Sequence, residues 1–306
     1  MLRRPSTRGR AWGVVRVAAP VRAPRWGGGL RILFVGDVVG KPGRRLLKES
    51  LPGLRRTHAL DFIVVNGENA AGGAGLTPPT ARELFELGVD AVTLGNHTWD
   101  KRELAPALDE FPRLLRPLNY PAGAPGRGWM AVTSRAGVAV GVINAMGRVF
   151  AAPHLDCPFR GIEQALEELR GHVRVILVDF HAEATSEKVS MGWFLDGRVS
   201  AVLGTHTHVQ TSDAMVLPGG TAYMTDAGMT GPWISALGVE RGRIIERFLT
   251  QLPVRFDVAP GPCQFNGAVV DVDETTGRAR SIAAVAWREP IAGTEGPSAG
   301  NDDRRG

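Results

Sequence analysis

The chain of 306 residues has few of the features that mark secreted, membrane-spanning or disulfide-bonded proteins. Its two cysteines, Cys157 and Cys263, lie far apart and in no CxxC spacing, which argues against a disulfide framework. The sequence contains no run of about 18 apolar residues, so no membrane span is predicted. An apolar content of 43% is sufficient for a large core. We therefore expect a globular protein of the reducing cytoplasm, with no membrane partner.

Acidic residues are absent from the first 29 residues, which contain seven arginines. Without these arginines, the formal charge of +5 becomes about −2, so the basicity belongs to this segment. We predict a disordered basic extension over residues 1–29, one domain over 30–290 and a disordered tail over 291–306. We consider contact between the basic arm and nucleic acid the weaker alternative.

Short apolar runs that end in polar residues predict five buried strands. They cover residues 31–37, 61–69, 90–97, 174–183 and 200–208. In the C-terminal third, further strands and a hairpin are predicted over residues 222–228, 253–259 and 267–287.

Helical patterns alternate with the first strands, over residues 42–57, 77–89 and 161–171. Thr77 stands before two prolines, which is typical of a helix start. The stretch TSEK, residues 185–188, predicts a capping box in which Thr185 or Ser186 begins a helix. Alternation of strands and helices predicts an α/β fold.

Each of the five predicted strands ends in side chains that can bind a metal ion. In chain order these are Asp37; Glu68 and Asn69; Asn96 and His97; His181; and His206 with His208. Ligands collect beyond the carboxyl ends of strands in open α/β sheets, so we expect these side chains to converge. Each has an ordinary structural explanation when taken alone, such as a helix cap, a turn or a core histidine. All five strand ends together favour a metal site.

The residue types in this group indicate which metals it would bind. Carboxylates, imidazoles and amide oxygens together suit Fe, Mn or Zn. A structural zinc site usually contains thiolates, and no cysteine belongs to this group. Two carboxylates leave a pair of cations under-neutralised, which favours a hydroxide between the ions and a phosphate across them.

Five stretches of the sequence carry a resemblance to a known family. They are GDVVG, NGENAAGG, LGNHTWD, FHAEATSEK with MGWFLDGRVSAVLGTHTHVQT, and TAYMTDAGMTGP. Together they resemble the calcineurin-like metallophosphoesterases, and more closely the bacterial YmdB-like branch of 2′,3′-cyclic-nucleotide 2′-phosphodiesterases. The resemblance spans roughly residues 30 to 290. It implies a central β-sandwich flanked by helices, with a dinuclear metal site at the carboxyl ends of strands.

The resemblance also implies a role for each site residue. The ligands of the first metal would be Asp37, Asn69 and His208. The ligands of the second metal would be Asn96, His181 and His206. Glu68 would bridge both ions, and His97 would stand off the metals as the proton donor. Val39 occupies a position where the broad metallophosphoesterase pattern has histidine, which favours the YmdB-like branch over a generic phosphatase.

The function implied is hydrolysis of 2′,3′-cyclic nucleotides to 3′-nucleotides by attack of a metal-bridging hydroxide. The cofactors would be two divalent or trivalent transition metals, Fe or Mn foremost and Zn as a third choice. The partner would be the small cyclic nucleotide, and a homo-oligomer is left open. Two alternatives remain: a broad-specificity phosphodiesterase or nucleotidase of the same fold, and a metal-stabilised regulator that binds RNA through its basic arm.

Overall fold

The computed structural model describes residues 29–151 and 153–291. The predicted basic extension and C-terminal tail therefore lie outside the described residues, except for Gly29 and Ile291. Within the described residues, the strands form two sheets that pack face to face, and helices cover both outer faces. The strands are numbered in chain order across both sheets.

The first sheet has eight strands and contains three of the five predicted buried strands as well as the predicted C-terminal hairpin. Its strands are β1 (Leu30–Val35), β2 (Asp37–Val38), β3 (Phe62–Asn66), β4 (Ala91–Thr93), β5 (Leu114–Leu115), β12 (Met229–Pro232), β13 (Cys263–Val272) and β14 (Ala279–Arg288). Their order is β2-β12-β13-β1-β3-β4-β5, with β14 paired to β13. The neighbours β1, β3, β4 and β5 run parallel, so their carboxyl ends lie at one edge.

The second sheet has six strands and contains the other two predicted buried strands, together with the strand predicted from residue 222. Its strands are β6 (Trp129–Thr133), β7 (Ala139–Met146), β8 (Val175–His181), β9 (Ala201–Thr205), β10 (Met215–Val216) and β11 (Ala222–Met224). Their order is β10-β11-β9-β8-β7-β6, and the central strands β7, β8 and β9 are parallel.

Six α-helices and one 3₁₀ turn, Leu108–Glu110, accompany the described strands. The helices are α1 (Gly40–Thr57), α2 (Pro78–Glu86), α3 (Leu104–Ala107), α4 (Pro158–Leu169), α5 (Thr185–Leu195) and α6 (Arg241–Thr250). The predicted start of α2 is confirmed, because the Thr77 side chain accepts a hydrogen bond from the Thr80 amide. The first predicted helix is also present, and α1 continues through Pro52.

The strands read as unbroken apolar runs because both of their faces are buried. On β1, Ile32 and Phe34 point into the core between the two sheets. Leu33 and Val35 of the same strand belong to the core under the helices that cover the first sheet. A third core fills the space between the second sheet and its helices. The structure thus confirms the predicted β-sandwich flanked by helices.

Two local predictions differ from the structure, and several elements had no prediction. The strand predicted over residues 253–259 is absent: only Val258 forms a bridge, to Val239. That segment alternates apolar and polar residues, but a strand also needs a neighbouring strand to pair with along its length. A helix begins at Thr185, as predicted, but the capping box is absent, because α5 has no side-chain hydrogen bond at its N-cap. The elements without a sequence prediction are β5, β6, β7, β10, β12, α3 and α6.

Candidate metal centre

The carboxyl ends of strands from both sheets meet at one end of the sandwich. Asp37 follows β1, and the turns after β3 and β4 carry Glu68, Asn69, Asn96 and His97. His181 is the last residue of β8, while His206 and His208 follow β9. The structure brings the predicted donors into two groups that share Glu68.

The first group, donor set A, consists of Asp37, Glu68, His208 and Asn69. Potential ligand atoms of Asp37, Glu68 and His208 all lie within 4.8 Å of one another. The Nε2 of His208 is 4.0 Å from Asp37 Oδ1 and 3.2 Å from the amide oxygen of Asn69. These separations place several donors around one point.

The second group, donor set B, consists of Glu68, Asn96, His181 and His206. Potential ligand atoms of Glu68, His181 and His206 again lie within 4.8 Å of one another. The Nε2 of His181 lies 3.3 Å from Glu68 Oε1, 2.9 Å from Asn96 Oδ1 and 3.0 Å from His206 Nδ1. Close approach of two imidazole nitrogens and two oxygens is typical of atoms arranged around a cation.

The tautomer of His181 is set by a buried hydrogen-bond chain that the sequence reading missed. The Thr205 hydroxyl donates to Asp179 Oδ1 at 2.7 Å and lies 2.9 Å from His181 Nδ1. Since its single hydrogen is used on Asp179, the hydroxyl must accept from Nδ1–H of His181. The Nε2 lone pair then faces donor set B, as a metal ligand requires.

The other two histidines are oriented in the same way by different partners. His208 Nδ1 lies 2.9 Å from the carbonyl oxygen of Leu237, to which only an N–H can donate. His206 Nε2 lies 2.9 Å from Glu183 Oε2, which likewise accepts. In all three rings the outer nitrogen carries the hydrogen, and the inner nitrogen offers its lone pair to the centre.

Burial shifts the protonation of the centre in a direction that favours a cation. It raises the pKa of Asp37 to about 7, with a further contribution from the charge of Asp226. Burial and then the charge of Asp37 raise the pKa of Glu68 well above its usual value. Burial is also the main cause of the lowered pKa values of His181, His206 and His208. Burial thus keeps the imidazoles neutral and makes the ionised carboxylates unfavourable. A metal ion would bind the neutral imidazoles and stabilise the charged carboxylates.

Two further observations fit an ion at this place. Asp37 is fully buried, yet its Oδ1 has no hydrogen-bond donor among the described residues. A Cβ atom built on Gly95 would lie 2.3 Å from both Glu68 Oε2 and His181 Nε2, which is too close for a carbon atom. Any residue other than glycine at position 95 would therefore fill the space between the donors of set B.

A buried ion pair supports the loop that carries His206 and His208. Lys188 Nζ lies 2.7 Å from Asp226 Oδ2, and the two side chains are 2% and 0% exposed. The same carboxylate oxygen accepts the backbone N–H and the hydroxyl of Thr207, between the two histidines. Lys188 and Asp226 both stand in the stretches that carry the family resemblance, but no local pattern gave them a role.

His97 lies at the rim of the centre. Its backbone N–H donates to Glu68 Oε2 at 3.2 Å, while its ring Nδ1 lies 2.7 Å from Asp100 Oδ2. The side chain is 35% exposed, in contrast to the buried donors. The ring therefore has one nitrogen fixed by a carboxylate and the other free to exchange a proton.

Comparisons with known proteins agree with this architecture. A crystal structure of a hypothetical protein from Thermus thermophilus superposes with a TM-score of 0.80 at 44% identity, covering 85% of this chain and all of that one. A crystal structure described as a novel phosphatase of Mycoplasma pneumoniae superposes with a TM-score of 0.81 at 33% identity. The match covers 87% of this chain and 95% of that one. In sequence, the chain is 50% identical over 256 residues to the 2′,3′-cyclic-nucleotide 2′-phosphodiesterase of Bacillus subtilis strain 168, covering 84% and 96%.

A helix-flanked β-sandwich with paired donor sets at its strand ends defines a calcineurin-like metallophosphoesterase. Within that class the chain belongs to the YmdB-like family, whose model matches residues 33–285. The family predicted from the motifs is therefore confirmed. Among the described helices, none has the length and apolar character needed to cross a membrane.

Proposed function

We propose that the protein is a dinuclear-metal phosphodiesterase that hydrolyses 2′,3′-cyclic nucleotides to 3′-nucleotides. The observation that carries the proposal is the pair of donor sets sharing Glu68, with three imidazoles whose inner nitrogens all face the centre. The choice of substrate is supported by the half-identical Bacillus subtilis relative, which is named for that reaction.

We assign the first metal to donor set A and the second to donor set B, with Glu68 as the bridge. Each ion would then have carboxylate, amide and imidazole donors and no sulfur, a combination that suits Fe or Mn and also accommodates Zn. When bound, such a pair supplies Lewis-acid stabilisation of the phosphoryl oxygens and an activated water.

His97 is the residue we assign to proton transfer. Opening the cyclic diester at the 2′ oxygen forms a bond from phosphorus to the oxygen of a water molecule, breaks the bond between phosphorus and the 2′ oxygen, and leaves the phosphate on the 3′ oxygen. The departing alkoxide takes a proton from His97 Nε2, while Asp100 holds Nδ1 at 2.7 Å and stabilises the charged ring. The exposed rim position allows the ring to recover its proton from water.

The proposal is tested by purifying the full chain without oxygen, measuring its metal content, and assaying a panel of nucleotides. The panel contains 2′,3′-cyclic, 3′,5′-cyclic and monoester nucleotides. We expect about two transition-metal ions per chain and turnover concentrated on the 2′,3′-cyclic diesters, with the 3′-nucleotide as product. Preferred turnover of monoesters, or a 2′-nucleotide product, would contradict the assignment.

A further inference from the structure

A cleft of about 670 Å³ opens beside donor set A and is lined in part by His208. Its volume is in the range of small-molecule sites. One wall comes from β13 and β14 and the other from the segment that follows β12. Because β13 runs antiparallel to β1, its first residues extend past the carboxyl end of β1, toward the metal centre. The cleft is therefore adjacent to the metal centre, and the two share His208.

A flat wall of this cleft is formed by Trp233 and Arg288. The guanidinium carbon of Arg288 lies 5.0 Å from the centroid of the Trp233 ring, over its face. The indole N–H donates to the carbonyl of Glu289 at 3.2 Å, and Arg288 Nε donates to Gln264 Oε1 at 3.2 Å. These bonds fix the orientation of both groups. Arg288 is thus held by a neutral amide.

Two amide side chains provide a polar edge next to this wall. Gln264 and Asn266 are two positions apart in β13, so both side chains lie on the same face of the strand, and they are 9% and 7% exposed. The oxygen of Gln264 is occupied by Arg288, which leaves its NH₂ group to donate. The side-chain amide of Asn266 has no hydrogen-bond partner among the described residues, although it lines the cleft. Because Asn266 is not fully buried and lines the cleft, its amide is available to donate to and accept from a ligand there.

We propose that this cleft holds the nucleobase of the substrate, an inference that rests on the proposed function. The ribose of a nucleotide joins the phosphate to the base, and His208 belongs both to donor set A and to the lining of the cleft, so a phosphate at the centre leaves the base within reach of the cleft. A planar base packs against the wall of Trp233 and Arg288, since bases stack on both indole rings and guanidinium planes. The amides of Gln264 and Asn266 bind the edge of the base, as amides do for adenine.

A second cavity beside the centre is less suited to a base. It has a volume of about 190 Å³ and adjoins donor set B, with Phe150 at its mouth. Phe150 is 85% exposed, so it too offers a ring for stacking. Apart from the centre's own Asn96, His181 and His206, and Glu183, the lining is apolar, so the edge of a base would find few partners there.

The experiment compares 2′,3′-cyclic AMP with glycerol 1,2-cyclic phosphate, which has the same five-membered cyclic diester but no base. In Trp233→Ala, the ratio of kcat/KM between nucleotide and glycerol diester should fall roughly tenfold to a hundredfold, the range that base stacking supplies. Most of the loss should lie in KM, and Trp233→Phe should recover much of it. The matched control is Trp193→Ala, since that indole is 57% exposed on α5, and its ratio should stay at the wild-type value.

Equal losses on both substrates would overturn the base cleft, as would a loss confined to Phe150→Ala. Asn266→Ala removes only the unpaired amide, so it tests the same proposal if Trp233→Ala does not fold, and an unchanged ratio there would refute it. A wild-type protein that hydrolyses neither substrate would instead refute the proposed function. Calorimetric binding of adenosine, weakened in Trp233→Ala, tests the cleft without turnover.

Discussion

The buried donors and the rim of the centre differ in how each can carry charge. Asp37, Glu68 and His181 are at most 1% exposed, so a charge on any of them has no water to solvate it. His97 and Asp100 at the rim are 35% and 44% exposed and can exchange protons with solvent. The buried part is therefore suited to binding cations and the rim to transferring protons. Mutations of the buried donors should reduce metal content, whereas mutations at the rim should reduce the rate and leave the metal content unchanged.

The largest expected effect comes from Glu68, which belongs to both donor sets. Glu68→Gln keeps the size of the side chain but removes the bridging charge, so both ions should be lost together. We expect turnover to fall on the order of 10³-fold or more, because the Lewis-acid contribution of the metals disappears. Metal analysis and turnover on 2′,3′-cyclic AMP provide the measurement.

The control for that variant is Glu86→Gln, a neutralised carboxylate on the exposed face of α2. It should retain metal and activity. Full metal occupancy in Glu68→Gln would remove Glu68 from the bridging position.

A rim mutation should separate chemistry from metal binding. We expect His97→Ala to keep both ions and to lose roughly 10²- to 10⁴-fold in rate on 2′,3′-cyclic AMP, the usual contribution of a general acid. A nitrophenyl diester has a leaving group that needs no proton, so its hydrolysis should suffer much less. The measurement is the ratio of the two rate losses, with metal content checked in parallel.

His172→Ala is the matched control, because His172 is exposed and follows α4 away from the centre. Equal losses on the two substrates, or the loss of an ion, would make His97 a ligand or a phosphate clamp and not an acid.

The smallest of these effects should come from Thr205, which touches the buried part only through His181. Thr205→Val removes the hydroxyl that accepts from Nδ1–H, so the ring loses its fixed tautomer. We expect metal affinity to fall about 10- to 100-fold, as for other partners of metal-binding histidines. Thr205→Ser keeps the hydroxyl and should restore affinity in a chelator competition. Equal affinities of Thr205→Val and wild type would show that the ring is held by packing alone.

The strand ends were predictable because each is a local signal, an apolar run followed by polar residues, and four of the five ends also contain a glycine. Family resemblance then paired the ends into two sets, and the structure places all of them together. The supports of the site were not predictable in this way. Thr205 and Asp179 sit on neighbouring strands, Lys188 and Asp226 lie 38 positions apart, and the group that orients His208 is a backbone carbonyl.

The misses in the fold have two different causes. The alternating exposure along β6 and the glutamate cap of α6 are local patterns that period and capping rules can detect. The false strand over residues 253–259 shows the opposite case, in which alternation was present but only Val258 forms a bridge, to Val239. Pairing is decided by the rest of the sheet, which a short window of sequence does not contain.

Gly95 has a consequence for designing an inert form of this protein. A side chain there would stand in the space between Glu68 and His181. Gly95→Ala would therefore block metal binding at donor set B by steric exclusion. Every proposed metal-binding side chain would remain, but the added methyl group would occupy the space between two of them. Such a protein would keep the charge pattern of the surface and the cleft beside the centre while being unable to turn over its substrate. It would serve as a trap that holds an uncleaved nucleotide by its base.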